Sequence, residues 1–464
     1  MYSVFVCPPT SIMENTIKAE HDTKELKRSR ILVVAPGKHY DTTVKRHIRT
    51  KQDRGSYKNC TFIFYWDLYV VEKPVDLEVI YRNASVIVNS ENIDCVIGVA
   101  DVGGLVQAAL VATFPHLTGP AFEGSFVCLN KYYTRLLIGS KANVNVNYDC
   151  ADVMKFDFSS KHAMLTAPND FPVFVKPAMG TTSCLVGIAS DEESLGNYMN
   201  LIKDDIKVVL QPFRGLIKKF LNLDLYPQAL SGIVMLEEYV DIGKTPVTIH
   251  TIDGIVGHGK IVPWAISDNI YFKHRPQCFQ GVGLPSVLAE ETQDNMWRVY
   301  VALVENLQKY GFDNEFVDAE VFVFSDGTIK LMEMNGRSFP LMFKLYDEVL
   351  NKGDIIEAHL NISRGVIPET PTHKPDRYGL YVYMATFGSG KVADFIDLDK
   401  LSEYSDIATF GHEADTVVEP KGESGFNLGF LSIIDSSYQA CVDKMEVLKV
   451  SLLKHPEYSP WWNN

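Results

Sequence analysis

Two short stretches constrain the chain more than any others: Asp318-Ala319-Glu320 and Glu333-Met334-Asn335-Gly336-Arg337. They sit in apolar, β-branched runs at 315–324 and 328–334, joined by Ser325-Asp326-Gly327. An Asp-Gly pair between two apolar runs is a strong hairpin signal. Side chains alternate along a strand, so Asp318 and Glu320 share one face while Val317, Ala319, Val321 and Val323 share the other. By the same rule Glu333, Asn335 and Arg337 point to a common side, and the hairpin brings the two acidic faces together. Carboxylates and an amide oxygen on one sheet surface pack poorly, but they suit Mg2+, which takes oxygen ligands, typically a few carboxylates plus phosphate oxygens. The plainer account is an exposed face of solvated charges. Against it, an Asn-Gly-Arg turn followed by Ser338-Phe339-Pro340 gathers polar groups where such a face needs none.

The rest of the chain alternates and then changes texture. Apolar runs at 31–35, 60–66 and 94–99 read as buried strands, with helical stretches between and after them, including 105–114; that alternation indicates an open α/β sheet. Gly119-Pro120 breaks the chain before a helix-like stretch, 123–138. From Phe171 short strands become dense. A long helix is expected at 290–310. After Pro368-Glu369-Thr370-Pro371 come strand-like runs at 378–386, 416–419 and 428–434 and a closing helix at 436–453. The expected divisions are a polar extension (1–29), an α/β unit (30–120), two central parts (121–245 and 246–368) and a C-terminal unit (369–464).

A chain of 464 residues suits several domains. Its net charge of −14 repels nucleic-acid phosphates and anionic lipid, so neither is expected as a general partner. The eight cysteines are scattered without a C-x-x-C pair, which favours reduced thiols and a cytoplasmic setting over disulfides or zinc. The longest apolar stretch, 96–114, contains Asp101, Gly103, Gly104 and Gln107 and parses better as strand, glycine turn and helix than as a membrane span.

Three further segments carry chemistry. Val173-Phe174-Val175-Lys176-Pro177 is an apolar strand ending in lysine, followed by the small, hydroxyl-rich loop Ala178-Met179-Gly180-Thr181-Thr182-Ser183. Backbone N–H groups in such a loop can cradle phosphate beside the lysine, although a simple turn with a snorkelling lysine reads the same way. Lys131 alone reads as a surface-helix residue. Ile233-Val234-Met235-Leu236-Glu237-Glu238-Tyr239-Val240 is a buried run breaking into polar residues; it fits an edge offered to an adenine ring and, equally well, a strand leaving the core. Gly37-Lys38-His39 and Gly388-Ser389-Gly390-Lys391 both fail as phosphate loops. Lys273, His274 and Arg275 read as a solvated basic loop.

Taken in order, these pieces resemble the ATP-grasp superfamily, and within it the carboxylate–amine ligases, above all the L-amino-acid (dipeptide) ligases. The ordered set is Gly119-Pro120 with Lys131; Lys176-Pro177 and its loop; Glu237-Glu238-Tyr239-Val240; Gly283 with Pro285-Ser286; Glu320; and Glu333, Asn335, Arg337. The resemblance implies an N-terminal open α/β domain, a central two-part ATP-grasp module and a small C-terminal cap marked by Gly388, Gly390 and Gly429. It implies that Lys131 and Lys176 hold the phosphates of ATP under a loop containing Thr181, Thr182 and Ser183. Glu237 would contact the adenine amino group, with Glu238, Tyr239 and Val240 at the hinge. Glu320, Glu333 and Asn335 would hold Mg2+, with Mn2+ as the alternative, and Arg337 would face the reacting carboxylate. Two features depart from the pattern: Gly243-Lys244-Thr245 lacks the acid that relatives use for the ribose, leaving Asp241 as a substitute, and 210–230 looks inserted.

Phosphoryl transfer needs positioning and charge neutralisation more than a protein nucleophile. The implied reaction is attack of a carboxylate on the γ-phosphate of ATP, then displacement of phosphate from the acylphosphate by an amine, with small-molecule substrates and a homodimer as the usual assembly of relatives. A kinase on the same scaffold, or a non-catalytic ATP-binding regulator, are the rivals. Trp264, Tyr271 and Phe339 are the aromatic candidates for lining the substrate pocket.

Overall fold

The computed structural model describes residues 29–35, 38–68, 75–155, 171–180, 185–272, 275–404, 406–410, 412–419 and 425–454. The expected N-terminal extension therefore lies outside the described residues, apart from Ser29, as do Lys273 and His274.

Three sheets organise the molecule. The first is parallel, with Ser29–Val34 between Cys60–Phe64 and Cys95–Gly98. Its central strand is buried on both sides because alternate residues feed different cores. Leu32, Val34 and Val96 pack with the helices Leu77–Ser90 and Ala100–Thr113, whereas Ile31, Val33 and Ile97 pack with Val44 and Ile48 of the helix Lys38–Asp53. The second strand stops earlier than its apolar run suggests, giving way to a short helix at Tyr65–Leu68.

The second sheet is antiparallel, in the order Tyr148–Asp152, Ile233–Glu238, Val173–Pro177, Gly187–Ala189. It is backed by a 29-residue helix, Glu192–Phe220. Asp191 starts that helix by accepting the Ser194 amide at 2.7 Å, which satisfies a first-turn donor. Leu195, Met199, Ile202, Ile206, Leu210, Phe213 and Ile217 are buried at helical spacing. The segment that looks inserted thus begins as the last turns of this helix, where the Lys219 ammonium lies 4.4 Å above the Tyr81 ring.

The third sheet has eight antiparallel strands, in the order Ile329–Asn335, Glu315–Phe324, Val247–Gly257, Lys260–Phe272, Arg275–Leu284, Tyr378–Thr386, Phe426–Asp435, Ala408–Phe410. The helix Glu290–Gln308 covers one of its faces through Met296, Tyr300, Leu303, Val304 and Leu307, which meet Val317, Ala319, Val321 and Val323. The C-terminal strands continue this sheet and share a further core with the helix Tyr438–Leu452. No helix among the described residues is long and apolar enough to cross a membrane.

Candidate active site

The hairpin is closed by Gly327, whose φ of +84° is left-handed and unfavourable for other residues, and by the Thr328 amide donating to Asp326 Oδ1 at 2.9 Å. Its register sets Asp318 opposite Asn335 and Glu320 opposite Glu333. All four side chains occupy the face turned away from the helix Glu290–Gln308. The Asn335 amide donates to Asp318 Oδ1 at 2.7 Å, which turns its own oxygen away from that carboxylate. Recession from water, then the neighbouring Glu333 and Asp318, push Glu320 up to about 8. Burial pushes Asp318 up to about 6 against the pull of Arg337. Burial and Asp318 push Asp253, on the adjoining strand, up to about 8.

Arg337 follows two residues after the strand ends at Asn335, and the first sheet fixes it. Its Nε donates to Asp101 Oδ1 at 2.8 Å and its Nη1 to Asp318 Oδ2 at 2.5 Å. Among the described residues these two carboxylates are its ion-pair partners. Asp101 opens the helix Ala100–Thr113 just past the carboxyl end of Cys95–Gly98, where open α/β sheets present ligands. The backbones join as well, because Val99 bridges Ser338 and the Ala100 amide donates to the Ser338 carbonyl at 3.3 Å. Gly104 allows this approach: a Cβ there would meet the Arg337 Cβ at 2.9 Å.

Lys131 owes its position to a break in the expected long helix. That stretch divides into Phe122–Leu129, a short turn at Lys131–Tyr133 and a π-helical segment at Thr134–Gly139. Asn130 ends the first and caps the second, its Oδ1 accepting the Tyr133 amide at 3.2 Å. The Lys131 amide donates to the Ala178 carbonyl at 2.8 Å, and its ammonium contacts the Gly180 carbonyl at 3.1 Å and Glu333 Oε1 at 3.2 Å.

Lys176 lies on the second sheet and pairs with Glu237 Oε2 at 2.8 Å, while Arg135 pairs with Glu237 Oε1 at 2.9 Å. Arg135 Nη2 also donates to the Met332 carbonyl at 2.8 Å, and Lys176 Nζ lies 3.5 Å from the same oxygen. Burial pushes Glu237 up, but Arg135 and Lys176 outweigh it and hold the carboxyl below its ordinary value. Burial pulls Lys176 down, only partly offset by Glu237. The Glu237 carboxylate is thus committed to two cations, and its backbone lies within the ladder, opposite Tyr148 on one side and Phe174 on the other. Pairing ends at Glu238, whose carboxylate meets Lys330 and Asn147; Tyr239 and Val240 follow beyond the ladder. Asp241 accepts the Gly243 amide at 3.0 Å and pairs with Lys244.

The fold therefore gathers Lys131, Glu320, Glu333, Asn335 and Arg337 in one cluster. Lys176 and Glu237 sit behind it across Met332, and Glu238, Tyr239 and Val240 lie at the end of the second sheet. Thr181, Thr182 and Ser183 lie outside the described residues. Sequence reasoning noted Asp318 on the acidic face but missed its pairing with Arg337, and it missed Asp101, Asp253 and Arg135. Asp101 had a signal, being an acid at a strand-to-helix junction; Arg135 sat one helical turn past Lys131. Among the described residues no three or more His, Cys, Asp or Glu side chains are grouped as a metal centre. Glu320 and Glu333 are two, and the amide of Asn335 would be a third, neutral, oxygen donor. Two recessed carboxylates facing each other fit a hard divalent cation whose remaining ligands come from phosphate.

No family model and no curated protein matches this chain. Solved structures do. An L-amino acid ligase from Bacillus licheniformis aligns at a TM-score of 0.65 and 14% identity, over 92% of this chain and 98% of that one. A phosphoribosylglycinamide synthetase from Anaerococcus prevotii aligns at 0.57 and 15%, over 91% and 98%. A biotin carboxylase from Campylobacter jejuni, in a beta-gamma-ATP complex, aligns at 0.59 and 13%, over 91% of each chain. With its parallel N-terminal sheet, its two larger antiparallel sheets and this likeness over nearly its whole length, the chain has the ATP-grasp fold.

Proposed function

We propose that this protein is an ATP- and magnesium-dependent carboxylate–amine ligase that forms an amide or peptide bond through an acylphosphate, with an amino acid as at least one substrate, releasing ADP and phosphate. The observation that carries this reading is the facing pair Glu320 and Glu333, with Lys131 bonded to one of them and Arg337 two residues beyond Asn335. The similar structures include an L-amino acid ligase and synthetases, which supports the same class of chemistry.

Glu320, Glu333 and Asn335 would hold Mg2+, or Mn2+ in its place. The ion would neutralise charge on the transferring phosphoryl group. Lys131, whose ammonium meets Glu333, would hold the phosphates, with Lys176 beneath them behind Met332, and the backbone of Glu238 and Val240 at the end of the ladder would meet adenine. Arg337, oriented by Asp101 and Asp318, would meet the oxygen that gains charge as the amine attacks.

Phosphate release across pairs of amino acids, with mass spectrometry of the products, tests the proposal. Turnover that requires both an acid and an amine, with a condensed product, is the expected result. Steady ADP formation with a single substrate and a phosphorylated product would make the protein a kinase; ATP binding without turnover would make it a regulator.

A further inference from the structure

Strand register carries the reactive face well beyond the two carboxylates. Glu320 lies opposite Thr251, and Thr251 opposite Ser267. Along the same side of that strand come Asn269 and Tyr271; Tyr271 lies opposite Phe279, and Asn269 opposite Val282. Val282 lies opposite Tyr381, two residues before Tyr383. By alternation these aromatic residues stand on the face that bears Glu320. The rings meet edge to face: Tyr271 and Phe279 at 5.8 Å, Phe279 and Tyr383 at 5.3 Å, Tyr381 and Tyr383 at 5.6 Å. Phe339 joins Tyr381 at 6.4 Å and carries the Arg337 guanidinium 5.4 Å above its ring.

Two properties distinguish this wall from ordinary core. Tyr271, Phe279, Phe339 and Tyr383 are each only partly covered, although they touch one another. Partly covered rings that touch one another beside charged groups can receive a further ring. In addition, the almost fully buried Tyr381 hydroxyl and Ser267 Oγ have no hydrogen-bond partner among the described residues, a costly arrangement unless a ligand completes it. The wall is also close to the acids, since Glu320 acts on both the Tyr271 and the Tyr383 hydroxyls. Trp264, by contrast, is buried against Phe316.

We propose that this wall is the side-chain subsite for one of the two substrates, and that this substrate is an amino acid with an aromatic side chain. The assignment rests on the ligase reading above. Arg337 would hold the α-carboxylate end, and the side chain would lie against Tyr271, Phe279 and Tyr383, whose exposed edges and faces complement another ring. A charged side chain would be stripped of water here without a partner, and a methyl group would leave the rings uncovered.

Binding to the full chain, with Mg2+ and a non-hydrolysable ATP analogue present, tests the subsite independently of turnover. By calorimetry or ligand-observed NMR, phenylalanine should bind at least about ten-fold more tightly than alanine. It should also bind roughly three-fold more tightly than cyclohexylalanine, which matches its bulk but lacks the π-system. In Tyr383→Ala and Phe279→Ala, each checked by thermal melting, the phenylalanine-to-alanine ratio should fall; if one variant fails to fold, the other carries the test. Equal binding of all three amino acids, or an unchanged ratio in a folded variant, overturns the subsite. A clear aromatic preference without phosphate release for any acid–amine pair keeps the subsite and overturns the ligase reading.

Discussion

Two charged clusters lie on either side of Met332, and they are balanced in opposite ways. Behind it, one carboxylate, Glu237, faces two cations, Arg135 and Lys176, all three nearly inaccessible to water. In front, two carboxylates, Glu320 and Glu333, face each other; Lys131 pairs with Glu333, while Arg337 is taken up by Asp101 and Asp318. Glu237 is held below its ordinary pKa and Glu320 is driven up to about 8. The first cluster holds one cation more than its carboxylate neutralises and is a strut joining the second sheet to the hairpin. The second is left short of positive charge, which a folded protein tolerates where a ligand supplies the remainder.

This contrast breaks most visibly at Glu333. Glu333→Ala should reduce ATP turnover to background while the melting transition is retained; full activity in the folded variant would remove the metal assignment. Glu237→Ala should do the reverse kind of damage. Leaving Arg135 and Lys176 buried without their counter-charge should cost about 3–5 kcal/mol in urea unfolding, and a change below about 1 kcal/mol would show that the strut carries little. Arg337→Lys keeps the charge but loses the fork that meets Asp101 and Asp318 together. A fall of about a hundred-fold in kcat with a smaller change in KM for ATP is expected from steady-state kinetics.

The smallest effect is a pH dependence. Glu320 has a raised pKa in the folded state, so between its ordinary value of 4.5 and about 8 the folded chain holds a proton that the unfolded chain has released. Stability without ligands should therefore fall as pH rises through that window. Asp253 and Glu315, also pushed up to about 8, act in the same direction. Glu320→Gln should flatten part of the slope, on the order of 1 kcal/mol after solvent screening, as read from melting temperatures between pH 5 and pH 8.5. An unchanged slope would show that the folded chain does not hold a proton on Glu320 in this window.

The hairpin was legible because alternation and Asp-Gly turn chemistry are local rules, and they place Asp318, Glu320, Glu333 and Asn335 on one face without knowledge of the rest. The same holds for the strands at Glu315–Phe324 and Tyr378–Thr386, whose limits coincide with their apolar runs. Lys131 was found by order along the chain, but not its mechanism: a single Asn130 cap interrupts a pattern that otherwise continues as helix. Asp101 and Arg135 were not legible as site residues, since their partners, Arg337 and Glu237, lie on other sheets. The aromatic wall was partly anticipated in Tyr271 and Phe339. Trp264 stands apart from the wall because it is buried against Phe316, four residues before Glu320 on the same strand.

Arg337 is clasped by Asp101, 236 positions earlier in the chain. A contact of such long range forms only after the local structure at both ends is in place. A chain in which the hairpin has folded but the first sheet has not docked would hold that guanidinium from one side only. The orientation of Arg337 is thereby tied to the docking of the first sheet against the third.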